Sequence, residues 1–201
     1  MLKKLIPWYL KIIIKIIIAR LPFNIHIFWR NLGIFRHGNM DDTSYVISNF
    51  IDLFNYASID TKNCNGLNFL EVGAGDSIGS GVVASNFGMS SFIIDVDSFA
   101  TKDTKFYKKI ITELDSSNSN NYKEGFASYE EMCDRLDITY LTEGTSSFRN
   151  IDDNSIDIII SQACLEHVRK KEFELFMNEN FRVSKKGAIS VHSIDFKDHL
   201  A

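Results

Sequence analysis

Phe69-Leu70-Glu71-Val72-Gly73-Ala74-Gly75-Asp76-Ser77 is the stretch on which the fold of this 201-residue chain turns. It opens as a short apolar run, passes through Gly-x-Gly and continues into a second apolar pattern over residues 78–87. An apolar strand that ends in glycines and feeds a helix reads as the first turn of a βαβ unit. Glycine there lets the backbone turn sharply and lets a ligand approach with no Cβ in the way. The start of the helix beyond is expected to offer free N–H groups to a carboxylate or phosphate. Gly-x-Gly also occurs in ordinary strand-to-helix turns, so the reading needs its surroundings.

Two ligand classes make different demands on this turn. A dinucleotide fingerprint places a third glycine three residues after the second. Position 78 is Ile, and Gly79 and Gly81 are out of phase. Glu71, just before the turn, would repel a pyrophosphate but suits a ligand bearing an ammonium group. Asp95, with Asp97 as a competitor, follows about twenty residues on, where an acidic side chain at a strand end accepts hydrogen bonds from ribose hydroxyls. An Asp at a strand end also serves simply to cap the next helix.

Outward from this stretch, apolar runs and helical spacings alternate. Strands are expected at 67–72, 92–96, 138–141, 156–161 and 188–194, the last after a Lys185-Lys186-Gly187 turn. Helices are expected at 44–57, 78–87, 106–114, 129–136 and 171–183, the first capped by Asp42 or Thr43. The pattern predicts an α/β fold with a doubly wound, mostly parallel sheet of five strands and an N-terminal helical extension. The boundary is drawn with residues 1–60 as the extension and 61–201 as the ligand-binding domain.

Composition is ordinary for a globular chain, with 45% hydrophobic and 24% charged residues. A net charge of −4 gives no electrostatic reason for nucleic-acid binding. Cys64, Cys133 and Cys164 form no zinc or redox spacing, which fits a reducing, cytoplasmic compartment with no metal site. Residues 5–29 are very apolar but carry Lys11 and Lys15 four apart, too interrupted for a spanning helix. They read either as a helix covering the domain or as an interfacial helix, with Trp8, Tyr9, Phe28 and Trp29 at headgroup depth. The second reading implies peripheral contact with the cytoplasmic face of the membrane.

The string Leu70-Glu71-Val72-Gly73-Ala74-Gly75 resembles motif I of class I S-adenosylmethionine-dependent methyltransferases, E/D-x-G-x-G-x-G. The segment from Asp153-Asn154-Ser155-Ile156-Asp157 to Leu165-Glu166-His167-Val168 is similar to that family's fourth-strand signature. Arg182-Val183-Ser184-Lys185-Lys186-Gly187 is similar to its R-V-L-K-P-G turn into strand five. The resemblance implies a Rossmann-like sheet, S-adenosyl-L-methionine as cofactor and methyl transfer as the activity. It implies that Glu71 and Gly73 face the methionine part, that Ala74 belongs to the same cofactor-binding turn, that Gly75 allows close approach, and that Asp95 holds the ribose. Gln162 and Ala163 would lie near the transferred methyl, and Thr145 or Ser146 would bond the adenine.

Three departures stand out. Asp76-Ser77 replaces x-Gly in motif I, and no acidic residue follows strand three, where Gly144-Thr145-Ser146 stands instead. The family's sheet also continues to a final antiparallel strand pair, for which this sequence leaves seven residues after the fifth strand. The expectation is therefore either a C-terminally truncated member or a minimal variant that needs a partner to cover the sheet edge. The N-terminal Leu-Ile-Pro-Trp and residues 33–42 also resemble methyltransferases among bacterial cell-surface polysaccharide enzymes, which implies a glycan or other small-molecule acceptor.

An oxygen nucleophile would call for a general base. His167 is the first candidate, with His192, His199, Asp198 and His37 as alternatives, and each reads equally as structural. Asp152, Asp153 and Asp157 read as a solvated loop leading into a strand. Two other functions fit less well. One is an inactive cofactor-binding or scaffolding module. The other is an NAD-dependent sugar oxidoreductase or epimerase, disfavoured by the absent third glycine and the absence of any Tyr-x-x-x-Lys pair.

Overall fold

The computed structural model describes residues 42–114 and 125–196. The chain divides into two compact units, Gly38–Ile194 and Met1–His37 with Asp195–Ala201. Of the second unit only Asp195 and Phe196 are described, so residues 5–29, His37, Asp198 and His199 lie outside the described residues. The polar run at 115–121 lies outside them too.

The larger unit holds five helices and five strands among its described residues. In chain order they are α1 (Thr43–Tyr56), β1 (Asn68–Val72), α2 (Gly79–Asn86), β2 (Ser90–Ile94), α3 (Thr104–Leu114), α4 (Tyr129–Arg135), β3 (Ile138–Leu141), β4 (Ile156–Gln162), α5 (Lys170–Val183) and β5 (Ser184–Ser193). The strands form one sheet in the order β3-β2-β1-β4-β5, and every pairing is parallel. Strands buried on both faces need largely apolar sequence, and β1 and β4 are apolar apart from Asn68, Glu71, Asp157, Ser161 and Gln162.

The alternation of side chains divides the core in two. Phe69, Ile93, Ile158 and Ile160 share one cluster with Val46, Phe50 and Phe54 of α1 and with Val82 and Ile110 of α2 and α3. Leu70, Ile94 and Ile159 point the other way, to Phe148 and to Phe176 and Val183 of α5. Asp42 caps α1 by accepting from the Ser44 N–H at 3.0 Å. The rings of Phe50 and Phe54 stack at 4.2 Å, and Phe50 meets Phe69 of β1 at 5.5 Å. Helix α1, which the boundary at residue 60 assigns to the extension, therefore shares the core of the sheet.

Two local features depart from the pattern. Strand β5 begins at Ser184, and the register slips from Ile156↔Ser184 to Ile158↔Ile189. The Lys185-Lys186-Gly187 turn is thus a bulge inside the strand, with Gly187 at φ +88° and Lys185 held on Asp157 at 2.7 Å. The segment Gly144–Asn150 forms a 3₁₀ helix rather than a plain loop. Arg182 of α5 secures it by donating to the carbonyls of Phe148 (2.7 Å) and Ile151 (3.0 Å) while pairing with Glu179 and Asp153.

Helices α1, α2 and α3 meet at Gly79, where an added Cβ would lie 2.7 Å from Val46 Cγ1 and 3.0 Å from Ile110 Cδ1. Alanine in a helix is ordinarily better than glycine by about 1 kcal/mol. Gly79→Ala should nevertheless destabilise the chain, by about 1–3 kcal/mol, because a stiff β-branched neighbour cannot give way. Urea denaturation checks the sign, which helix propensity alone puts the other way.

Candidate cofactor site

In a parallel sheet ordered β3-β2-β1-β4-β5 the connections leave β1 and β4 in opposite directions, and ligands bind in the crevice this opens at the carboxyl ends of the strands. The turn after β1, the residues after β4 and the end of β2 meet there.

Gly73 has φ +85° and donates its N–H to the Ile94 carbonyl at 2.8 Å. A Cβ on it would fall 2.4 Å from the sulfur of Cys164, so glycine is demanded both by conformation and by contact with the β4 loop. Ala74 is buried beside it. Gly75, at φ +65°, donates its N–H to Asp95 Oδ2 at 2.8 Å. Asp95 Oδ1 accepts from the Val96 N–H at 2.7 Å. Glu71 is buried, and its carboxylate accepts from the Ser80 hydroxyl on α2.

Beyond β4, Ala163 adopts φ +44°, an uncommon conformation for a residue with a Cβ, and donates its N–H to the Ser193 carbonyl at 2.8 Å. Gln162 donates its amide to the Tyr45 hydroxyl of α1 at 3.2 Å. Thr145 is half-buried in the 3₁₀ helix, whose first residue Gly144 donates to the Asp95 carbonyl at 2.8 Å. The residues expected at the site, Glu71, Gly73, Ala74, Gly75, Asp95, Gln162 and Ala163, thus gather at the strand ends, with the Thr145 segment tied to Asp95.

The base candidates fare differently. His167 is exposed in a short 3₁₀ turn and donates its backbone N–H to the Cys164 carbonyl at 2.9 Å. His192 pairs in register with Ser161, two residues on from Ile159, and so faces α5, across the sheet from Glu71. Its ring nitrogens lie 2.8 Å from the Ser161 hydroxyl and 2.7 Å from that of Ser190, and burial lowers its pKa.

One expectation is overturned. The start of α2 offers no row of free N–H groups: Ile78 donates to the Tyr107 hydroxyl (3.3 Å), Gly79 to the Ser77 hydroxyl (3.4 Å), and Gly81 and Val82 to the Ile78 carbonyl. Residues 77–80 are all buried. A helix start sealed by Ser77 and by a tyrosine from α3 is not an anion cradle.

The electrostatics point the same way. Burial pushes the Glu71 carboxyl up to about 7; the Ser80 hydroxyl opposes this and nearby Asp95 adds to it. Burial, reinforced by Asp95, Glu166 and Glu71, pushes the Cys164 thiol up to about 12, so it meets Gly73 as a neutral group. Sequence reasoning missed Tyr45, Ser80 and Cys164, and also Val96, an exposed apolar side chain beside Asp95 that Gly144 lets the 3₁₀ helix approach. Two cavities of about 320 and 340 Å³ open at the other end of the sheet, around Asp60 and the Lys185 bulge, and hold none of these groups.

Comparison with known proteins gives the following. No curated protein matches the chain. Haemonchus contortus phosphoethanolamine N-methyltransferase 2, solved with phosphomonomethylethanolamine and S-adenosylhomocysteine, is 16% identical over 73% of this chain and 28% of its own, at a TM-score of 0.47. A Methanococcus maripaludis protein described as an S-adenosyl-L-methionine-dependent methyltransferase is 16% identical over 79% of this chain and 62% of its own, also at 0.47. An arsenic(III) S-adenosylmethionine methyltransferase from Chlamydomonas reinhardtii is 17% identical over 64% of this chain and 38% of its own, at 0.41. The chain therefore spans less than two thirds of the length of each. Residues 70–191, from β1 through the glycine turn and the β4 crevice to β5, match the methyltransferase domain family, and the chain belongs to that family.

Proposed function

We propose that the chain binds S-adenosyl-L-methionine in the crevice between β1 and β4 and transfers its methyl group to a small-molecule or glycan acceptor. The observation that carries this reading is a pair of buried carboxylates, Glu71 and Asp95, on either side of a turn with no Cβ at Gly73 and Gly75. A ligand with an ammonium group and ribose hydroxyls satisfies both, whereas a pyrophosphate meets two negative charges and a sealed helix start. A carboxylate offers about four acceptor positions, so Asp95 can keep Gly75 and Val96 and still receive ribose hydroxyls. Val96 supplies an apolar wall for the adenine, and Thr145 stands on the segment beside it.

Bound there, the cofactor would supply an electrophilic methyl for displacement from sulfur by an acceptor lone pair. The chain's share is orientation and exclusion of water. Cys164 and Gly73 close the floor of the crevice, and Gln162, fixed by Tyr45, bounds the side on which an acceptor would approach. The apolar segment 5–29, with Lys11 and Lys15, is read in the same proposal as resting on the cytoplasmic face of a membrane, which suits a lipid-linked acceptor.

Calorimetric titration of the full chain with S-adenosylhomocysteine should show micromolar binding, weakened about 10–100-fold in Asp95→Ala, as expected for losing charged hydrogen bonds. NAD should give no heat. A folded chain that binds NAD, or neither ligand, would overturn the reading.

The buried Glu71 predicts a stability signature too. Its carboxyl is raised from 4.5 to about 7 on folding, so the folded state favours the protonated form. That contribution is fully present below pH 4.5 and is lost as pH rises through 7. Glu71→Gln should therefore match the wild type near pH 4.5 and exceed its stability at pH 8 by about 1–3 kcal/mol without ligand. Denaturation curves at both pH values check this.

A further inference from the structure

Ser80 is 4% exposed in the first turn of α2, and its hydroxyl is turned out of the helix to donate to Oε2 of Glu71. We propose that Ser80 is a positioning residue for the cofactor: its hydroxyl, donating to the Glu71 carboxylate, orients it and favours its ionised form behind the Gly73–Gly75 turn, where that charge draws in the ligand's ammonium group. The inference rests on the cofactor reading above.

Helix formation does not account for this hydroxyl. The N–H groups of Ile78, Gly79, Gly81 and Val82 are served by Tyr107, Ser77 and the Ile78 carbonyl, and alanine would be the better helix former at position 80. Its recorded bond is to β1, nine residues back. A hydroxyl that donates to a carboxylate favours the ionised form, against the two influences that oppose it here, burial and the negative charge of Asp95. The titratable groups facing Glu71 are Asp95 from the end of β2 and Cys164 from the loop after β4. The thiol is neutral, and Asp95 accepts from two backbone N–H groups. Of the groups acting on Glu71, Ser80 is the one that favours the anion. Cofactor affinity should then follow the ionisation of Glu71.

The test is S-adenosylhomocysteine titration of the full chain between pH 6 and 8.5, with Ser80→Ala, Ser80→Thr and Glu71→Gln. Wild-type affinity should rise through about pH 7 and level off. Ser80→Ala should bind about tenfold more weakly at pH 7, with its profile displaced to higher pH, as expected for one lost hydrogen bond to a charged group. Ser80→Thr, which keeps the hydroxyl, should restore the wild-type profile, and Glu71→Gln should bind weakly with a flat one. A Ser80→Ala profile that overlays the wild type, or a threonine variant no better than alanine, overturns the proposal. Should Ser80→Ala fail to fold, the wild-type and Glu71→Gln profiles still decide, because a pH-independent wild type is incompatible with it. A wild type that binds nothing at any pH removes the cofactor reading itself.

Discussion

A carboxylate on the central strand of a parallel sheet sits where the fold gives it least access to water, and Glu71 is that carboxylate. Strand β1 pairs with β2 on one side and β4 on the other, and α2 lies over the face on which Glu71 points. Burying an ionisable group there is expensive unless something compensates. The chain's own compensation is a hydroxyl, opposed by a like charge on Asp95. The remaining elements of the site follow from this imbalance. The turn beside it lacks side chains at Gly73 and Gly75, which opens room for a ligand, and the helix start is closed off so that the field there is not offset by exposed N–H groups.

That logic explains which parts of the molecule could be read in advance. Glu71, Gly73, Gly75 and Asp95 were legible because each follows from a local constraint: a strand end, a turn with positive φ, a spacing of one βαβ unit. The doubly wound, parallel architecture was legible for the same reason, since doubly buried strands leave apolar runs with little ambiguity. What escaped depends on contacts between distant segments. Tyr45 meets Gln162 across 117 positions, and Tyr107 reaches Ile78 across 29. The expectation of open N–H groups at α2 was reasonable locally and failed because a second helix supplies the cap. The lysine-glycine turn at 185–187 was expected to precede the fifth strand, but the strand already begins at Ser184 and absorbs it as a bulge.

The same distinction bears on Arg182, which entered through a motif and could have been taken as a surface charge near a turn. Its guanidinium instead bonds two backbone carbonyls of the 144–151 segment while pairing with Glu179 on its own helix. That segment in turn donates from Gly144 to the Asp95 carbonyl. Helix α5 lies on the opposite face of the sheet from Glu71 and α2, so the position of Asp95 depends on both layers at once. A planar fork that serves several acceptors together suits this task as a point charge does not. The crevice is therefore built from two directions: α2 and Ser80 fix one carboxylate from one face, and α5, through Arg182 and the 3₁₀ segment, steadies the backbone of the other.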